Sequence, residues 1–258
     1  MIKRLLSLLL AGLLLLTPAY AVSTDACYDE DDTSLMLHFD GTDASTTFTD
    51  EIGQTVTPAA DAQIDTAQMV FGTASGLFDG TGDELSIPDS AGFAMGTGNF
   101  NISLRLRPHT MTVEDGIIHQ SGGLLVTAWF LRFSPNTANN LQFAVYSAGL
   151  KVVEIDAAHG MSVDTWYDVK VIRGWGGVAD TWAITVNGND IGTTSDADSM
   201  VDSFDVLIIG GNVQNQAGRF DGHIDELRIV KGLAIETGDH TPEPAAYTEC
   251  GGRRIITT

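Results

Sequence analysis

Basic residues are scarce in this chain of 258 residues: 13 Lys and Arg stand against 34 Asp and Glu, for a formal net charge of −21. Such a surface repels nucleic acid and anionic membrane, which excludes both as partners. Solubility or a salty habitat is the ordinary cause of this balance, and the same carboxylates suit a hard cation. Catalytic signatures are missing too: there is no G-x-S-x-G elbow and no H-E-x-x-H pair. The six His are scattered without metal-ligand spacing and read as surface or packing residues. After Leu16 no apolar run is long enough to span a bilayer, so membrane insertion is not expected. A helical period of 3.6 never persists for three turns, which removes the helix-rich fold classes.

What is present begins with MIKRLLSLLLAGLLLLTPAYA, residues 1–21. Its basic start (Lys3, Arg4), its apolar run from Leu5 to Leu16 and its small-residue site at Ala19-Tyr20-Ala21 read as a secretory signal peptide. The expectation is a secreted protein, extracellular, at the cell surface or periplasmic. Cys27 and Cys250 are the two cysteines, and in an oxidising compartment they are expected to pair. A loop that long contributes roughly 5 kcal/mol in the chain-entropy model, and the bridge places the two chain ends side by side.

From Ser34 onward, short β-rich runs alternate with Gly, Asp, Asn and Thr. SLMLHF (34–39), FNISLRLRP (100–108), LLVTAWFLRFS (124–134), LQFAVYS (141–147), KVVEIDA (151–157), TWYDVKVIR (165–173) and GHIDELRIV (222–230) are among the expected strands. Their spacing, without intervening helices, favours an all-β, two-sheet antiparallel sandwich. Asn187-Gly188 signals a type I′ hairpin turn. With no internal linker or repeat, one domain over 34–250 is the economical reading. An acidic segment (22–33) precedes it and a short flexible tail (251–258) follows.

The ordered series LMLHFDGTDASTTFTDEIG, VFGTASGLFDGTGDELSIPDS, GTGNFNISLRLRP, DTWYDVKVIR, DVLIIGG and GRFDGHIDELRIVKGLA resembles the concanavalin A-like, laminin-G-type jelly rolls of secreted bacterial and virion proteins, over about residues 34–234. The resemblance implies a jelly-roll sandwich, a structural Ca²⁺ near the sheet edge, and glycan or surface-ligand binding. Because the fold hosts many functions, sites must decide.

Glucanases of this architecture use paired carboxylates. The nearest run here, Glu154-Ile155-Asp156-Ala157-Ala158-His159, ends in His where the pattern needs a carboxylate, so no catalytic residue is assigned. Calcium wants carboxylate and carbonyl oxygens. Asp40 and Asp43 after the first strand, Asp79 in the turn Asp79-Gly80-Thr81-Gly82-Asp83, and Asp225 on the last strand are the candidate ligands. The alternative is that these Asp-Gly pairs simply form turns.

For a glycan, Trp175 between two glycines either stacks on a sugar face or folds back on the sandwich edge. Trp129 and Tyr146 are candidates for the concave sheet, while Trp166 and Trp182 read as core. The expected function is a non-catalytic lectin-like or adhesion module for a glycan or another extracellular ligand. The alternatives are a self-associating surface or virion-decoration protein and, more remotely, a polysaccharide hydrolase or lyase.

Overall fold

Strand after strand, one side chain in two is apolar and points to a shared interior. The computed structural model describes residues 24, 26–121, 126–200, 202–211 and 218–250, so the expected signal peptide and tail lie outside it. In chain order the strands are β1 Cys27–Tyr28, β2 Thr33–Leu37, β3 Thr57–Ala59, β4 Gln63–Asp65, β5 Ser75–Asp79, β6 Glu84–Ile87, β7 Phe100–Pro108, β8 Gly116–Ser121 and β9 Ala128–Phe133. They continue with β10 Asn140–Ser147, β11 Leu150–Ala158, β12 Tyr167–Arg173, β13 Thr181–Val186, β14 Asn189–Ser195, β15 Leu207–Ile209, β16 Asp221–Lys231 and β17 Thr248–Glu249. A 3₁₀ turn at Trp175–Gly177 is the one helical element among the described residues.

The seven-stranded sheet runs β11-β10-β9-β8-β15-β6-β3. The eight-stranded sheet runs β14-β13-β12-β7-β16-β5-β4, with β2 also on β16. Within both sheets, neighbours pair antiparallel. This is the expected all-β jelly-roll sandwich. Ile102, Leu104 and Leu106 of β7 face Leu131 and Phe133 of β9 and Leu141 and Phe143 of β10 in one core. Phe100 meets Trp182 edge-on at 5.5 Å, with Phe143 6.0 Å from the same Trp. Asn187 and Gly188 both take positive φ (51° and 77°), as the type I′ turn of the β13–β14 hairpin requires.

Two short strands, β3 and β4, lack a sequence signal because Thr57-Pro58-Ala59 and Gln63-Ile64-Asp65 are too short to show alternation. The acidic segment is structured from Cys27 onward: β1 pairs in parallel with β17, and Thr33 N donates to Asp29 O at 2.9 Å to close a turn. The Cys27–Cys250 disulfide forms and holds the two ends together.

After β16, residues 232–250 cross the outward face of the eight-stranded sheet as an extended strap. Its Glu243 carboxylate meets Lys170 Nζ at 2.6 Å and Arg105 Nη2 at 3.1 Å. Its Glu236 also binds Lys170. Arg105 Nη1 reaches Asp168 at 3.2 Å, and the Arg228 guanidinium lies 3.9 Å from the centre of the Tyr247 ring. Burial alone would lower the Lys170 pKa, yet Tyr247, Asp168, Glu236 and Glu243 raise it, so the ammonium stays charged at 0% exposure.

A second clasp sits beside the first, on β16, where Asp225 is registered opposite Arg105. Asp225 is fully buried, and its Oδ2 accepts N–H bonds from Val70 (2.8 Å) and Phe71 (3.2 Å), while Oδ1 has no partner. Asp40 takes the Thr73 amide, two residues on, together with the Thr73 hydroxyl at 2.9 Å. Burial pushes the Asp225 carboxyl up to about 7, although the two N–H bonds oppose it. A folded-state pKa above the unfolded value means that the native protein keeps a proton which the unfolded chain has released. Stability therefore falls as pH rises from about 4 to about 7. Asp225→Asn should remove up to about 4 kcal/mol of that fall. Urea unfolding of both proteins across the window measures it, and an unchanged slope in the variant would contradict the assignment.

Candidate functional site

Pleating gives each sheet an inner and an outer face. The strap occupies the outer face of the eight-stranded sheet, so the outer face of the other sheet is where a ligand can meet strand side chains. In β9, Trp129, Leu131 and Phe133 turn inward, which leaves Phe130 and Arg132 outward. β10 contributes Gln142, Ala144 and Tyr146, and β11 contributes Glu154 and Asp156, by the same alternation.

These side chains form a floor and a rim. Phe130 lies between the Arg132 guanidinium, 4.4 Å from its ring centre, and the Tyr146 ring at 5.9 Å. Arg132 Nε donates to Gln142 Oε1 at 2.9 Å, and Gln142 Nε2 donates to Glu154 Oε1 at 2.6 Å. Lys151 Nζ closes the line on Glu154 at 2.5 Å. Phe130, Arg132 and Gln142 are buried, Tyr146 and Glu154 are half-buried, and Lys151 is exposed. Alongside, Asp156 accepts bonds from Ser134 (2.8 Å), Asn136 (2.9 Å) and Asn140 (2.9 Å). Aromatic faces, amides, a guanidinium and carboxylates thus lie within one strip, pre-positioned by hydrogen bonds.

Glu154 and Asp156 share a face, but Asp156 is unsuited to the acid's part in a carboxylate pair. A general acid needs a raised pKa. Burial would raise Asp156, yet the bonds from Asn140, Asn136 and Ser134 outweigh it and hold the carboxyl below its usual range.

The expected metal ligands are not brought together. Asp40 and Asp225 approach the same segment, residues 70–73, but each turns one oxygen to it: Asp225 Oδ2 to the Val70 and Phe71 amides and Asp40 Oδ1 to Thr73. Asp43 Oδ1 accepts from Thr66 N at 3.1 Å and from the Thr66 hydroxyl at 3.2 Å. Asp79 alone joins a cluster: with Asp61 and Asp83 it places three carboxylate oxygens within 4.8 Å of one another. Asp83 anchors both turns, accepting Asp79 N at 2.9 Å and Asp61 N at 3.0 Å. Burial raises its pKa first, and the Asp79 charge adds to this against the pull of those N–H bonds. An all-oxygen donor set of this kind suits a hard cation. Asp61 carried no sequence signal, because its approach to Asp83 is a tertiary contact between the β3–β4 and β5–β6 turns.

Among the aromatics, Trp129 corrects the expectation. It is 1% exposed, packs in the core beside Phe143 and donates its Nε1–H to Gln120 at 3.2 Å, so it presents no ring to a ligand. Tyr146 does stand on the outer face. Trp175 is half-buried in its 3₁₀ turn, where Gly176 N donates to Thr237 O of the strap at 3.0 Å, and it lies away from the Tyr146 strip. Trp182 is core as expected, whereas Trp166 is half-buried at a strand end, 6.2 Å from the His223 ring.

No curated protein matches the chain. Among solved structures, domain 4 of AbnA, an extracellular arabinanase of family GH43 from Geobacillus stearothermophilus solved with arabinotriose, superposes with a TM-score of 0.58 at 16% identity, covering 79% of this chain and 95% of that one. The binding domain of botulinum neurotoxin serotype D gives 0.60 at 14% identity, covering 81% and 51%. A botulinum neurotoxin type C structure, described as dependent on two ganglioside molecules for cell entry, gives 0.57 at 16% identity, covering 80% and 49%. The chain spans about half the length of these toxin fragments. At such identities the likeness establishes the fold. The family model of the concanavalin A-like lectin/glucanases superfamily matches residues 79–234, which is more than half of the chain, and the protein belongs to that laminin-G-like family.

Proposed function

We propose that this protein is a secreted, non-catalytic glycan-binding module whose ligand lies on the outer face of the seven-stranded sheet. The observation that carries the reading is the line Tyr146–Phe130–Arg132–Gln142–Glu154–Lys151. A sugar offers an apolar face and a ring of hydroxyls, and this strip offers the half-buried Tyr146 ring beside Glu154 and Lys151, over a buried floor of Phe130, Arg132 and Gln142. Similarity to a domain crystallised with arabinotriose and to ganglioside-dependent toxin domains supports it. The disulfide is consistent with an oxidising compartment.

Calcium enters the proposal through Asp61, Asp79 and Asp83. A bound Ca²⁺ would neutralise these crowded carboxylates and stiffen the two turns they join. A second reading, self-association, draws on Val126, Leu150, Phe204 and Val206. These exposed apolar residues flank β9, β11 and β15 at one end of the seven-stranded sheet.

Glycan-array screening of the mature protein should give hits, and Tyr146→Ala or Gln142→Ala should weaken the best of them by about tenfold or more without loss of fold. A blank array together with concentration-dependent mass in light scattering would favour self-association instead. Calcium should raise the melting temperature of the wild type and leave Asp79→Asn/Asp83→Asn unmoved. Equal melting with calcium and with EDTA in the wild type would remove the metal from the account.

A further inference from the structure

Under the strap, Lys170 and Asn101 stand on adjacent antiparallel strands. Lys170 is registered opposite Ser103, and Asn101 opposite Ile172, so the two side chains leave the same face one diagonal step apart. That step is within reach of a long side chain. Both residues are 0% exposed. Glu236 of the strap, 4% exposed, bridges them: its Oε1 contacts Lys170 Nζ and its Oε2 contacts Asn101 Nδ2. The Asn101 Oδ1 atom is buried without a hydrogen-bond partner.

We propose that Lys170 and Asn101 join through an intramolecular isopeptide bond, with Glu236 as the proton carrier. Two carboxylates touch the lysine, and their surroundings assign their roles. Glu243 is also bound to Arg105 at 3.1 Å, so one of its oxygens is committed to a guanidinium. Glu236 shares its oxygens between the lysine and the amide, and among the described residues no arginine lies against it. In the resting state the lysine is charged, so the reaction begins with transfer of one proton from Nζ to Glu236. Burial narrows the gap between the ion pair and the neutral pair, because only the former loses hydration energy.

A half-turn of the Asn101 amide exchanges its oxygen and nitrogen in nearly the same volume. Oδ1 then accepts the proton that Glu236 has acquired, which satisfies the orphan oxygen and polarises Cγ. The Nζ lone pair attacks Cγ, the Cγ–Nζ bond forms, and the Cγ–Nδ2 bond breaks. Of the three protons on the original ammonium, one stays on the new amide nitrogen and two leave with Nδ2 as ammonium. Glu236 ends as the carboxylate it was, and no oxidant, metal or second substrate is required.

The intact mass of the purified wild-type protein, corrected for its disulfide, should fall below the sequence mass by one ammonia. Fragmentation should recover a branched peptide joining Lys170 to Asn101. Lys170→Met and Glu236→Ala should each restore the full mass. A wild-type mass equal to that of the sequence would overturn the proposal whether or not the variants fold. So would loss of one water with Lys170 joined to Glu236 or Glu243. A cross-link that persists in Glu236→Ala would overturn the role given to that residue.

Discussion

A lysine at zero exposure, held charged by carboxylates, is the constraint from which the rest of this molecule's layout follows. Lys170 sits on the outer face of the eight-stranded sheet, and an uncompensated ammonium there would be untenable. Glu236 and Glu243 reach it from the strap, so the strap has to lie across the sheet. The Cys27–Cys250 bridge fixes the strap's far end beside the start of the chain. Removing either glutamate leaves a buried cation short of a partner, whereas a surface ion pair could be lost at little cost.

Covering one sheet decides what the other does. With the strap across the eight-stranded sheet, the seven-stranded sheet is the one proposed to meet an external ligand. There Arg132 and Phe130 form a buried floor under half-buried Tyr146 and Glu154. The floor is organised before a ligand arrives, since each polar group in the line already has a neighbour to hold it. Pre-organisation of this kind lowers the ordering cost of binding. Bonds from Asn140, Asn136 and Ser134 hold the Asp156 carboxyl below its usual range, which suits recognition and not proton donation.

The sandwich itself was legible because alternation and turn chemistry are local. Asn187-Gly188 turns where its φ preferences require, and Cys27 and Cys250, the two cysteines of the chain, pair and so bring the ends together. Residues 128–133 defeated the same reasoning: Phe130 is buried on the outer face beside Arg132 and Tyr146, so both faces of the strand look apolar and Trp129 is assigned to the wrong one. The acidic turns show a second limit. Which carboxylates stay free depends on which backbone amides claim them, and Asp40 and Asp225 are claimed by residues 70–73, a pairing set by tertiary contact. The residues 232–250 that cross β7, β12 and β16 carry little alternation, since their order comes from ion pairs and the disulfide.

Hydrogen–deuterium exchange of the protein with and without its best array ligand tests the central claim most directly. The account predicts added protection concentrated in β9, β10 and β11, residues 128–158, with the strap unchanged. Protection centred on the strap, or on the Trp175 turn, with 128–158 unaffected would contradict it.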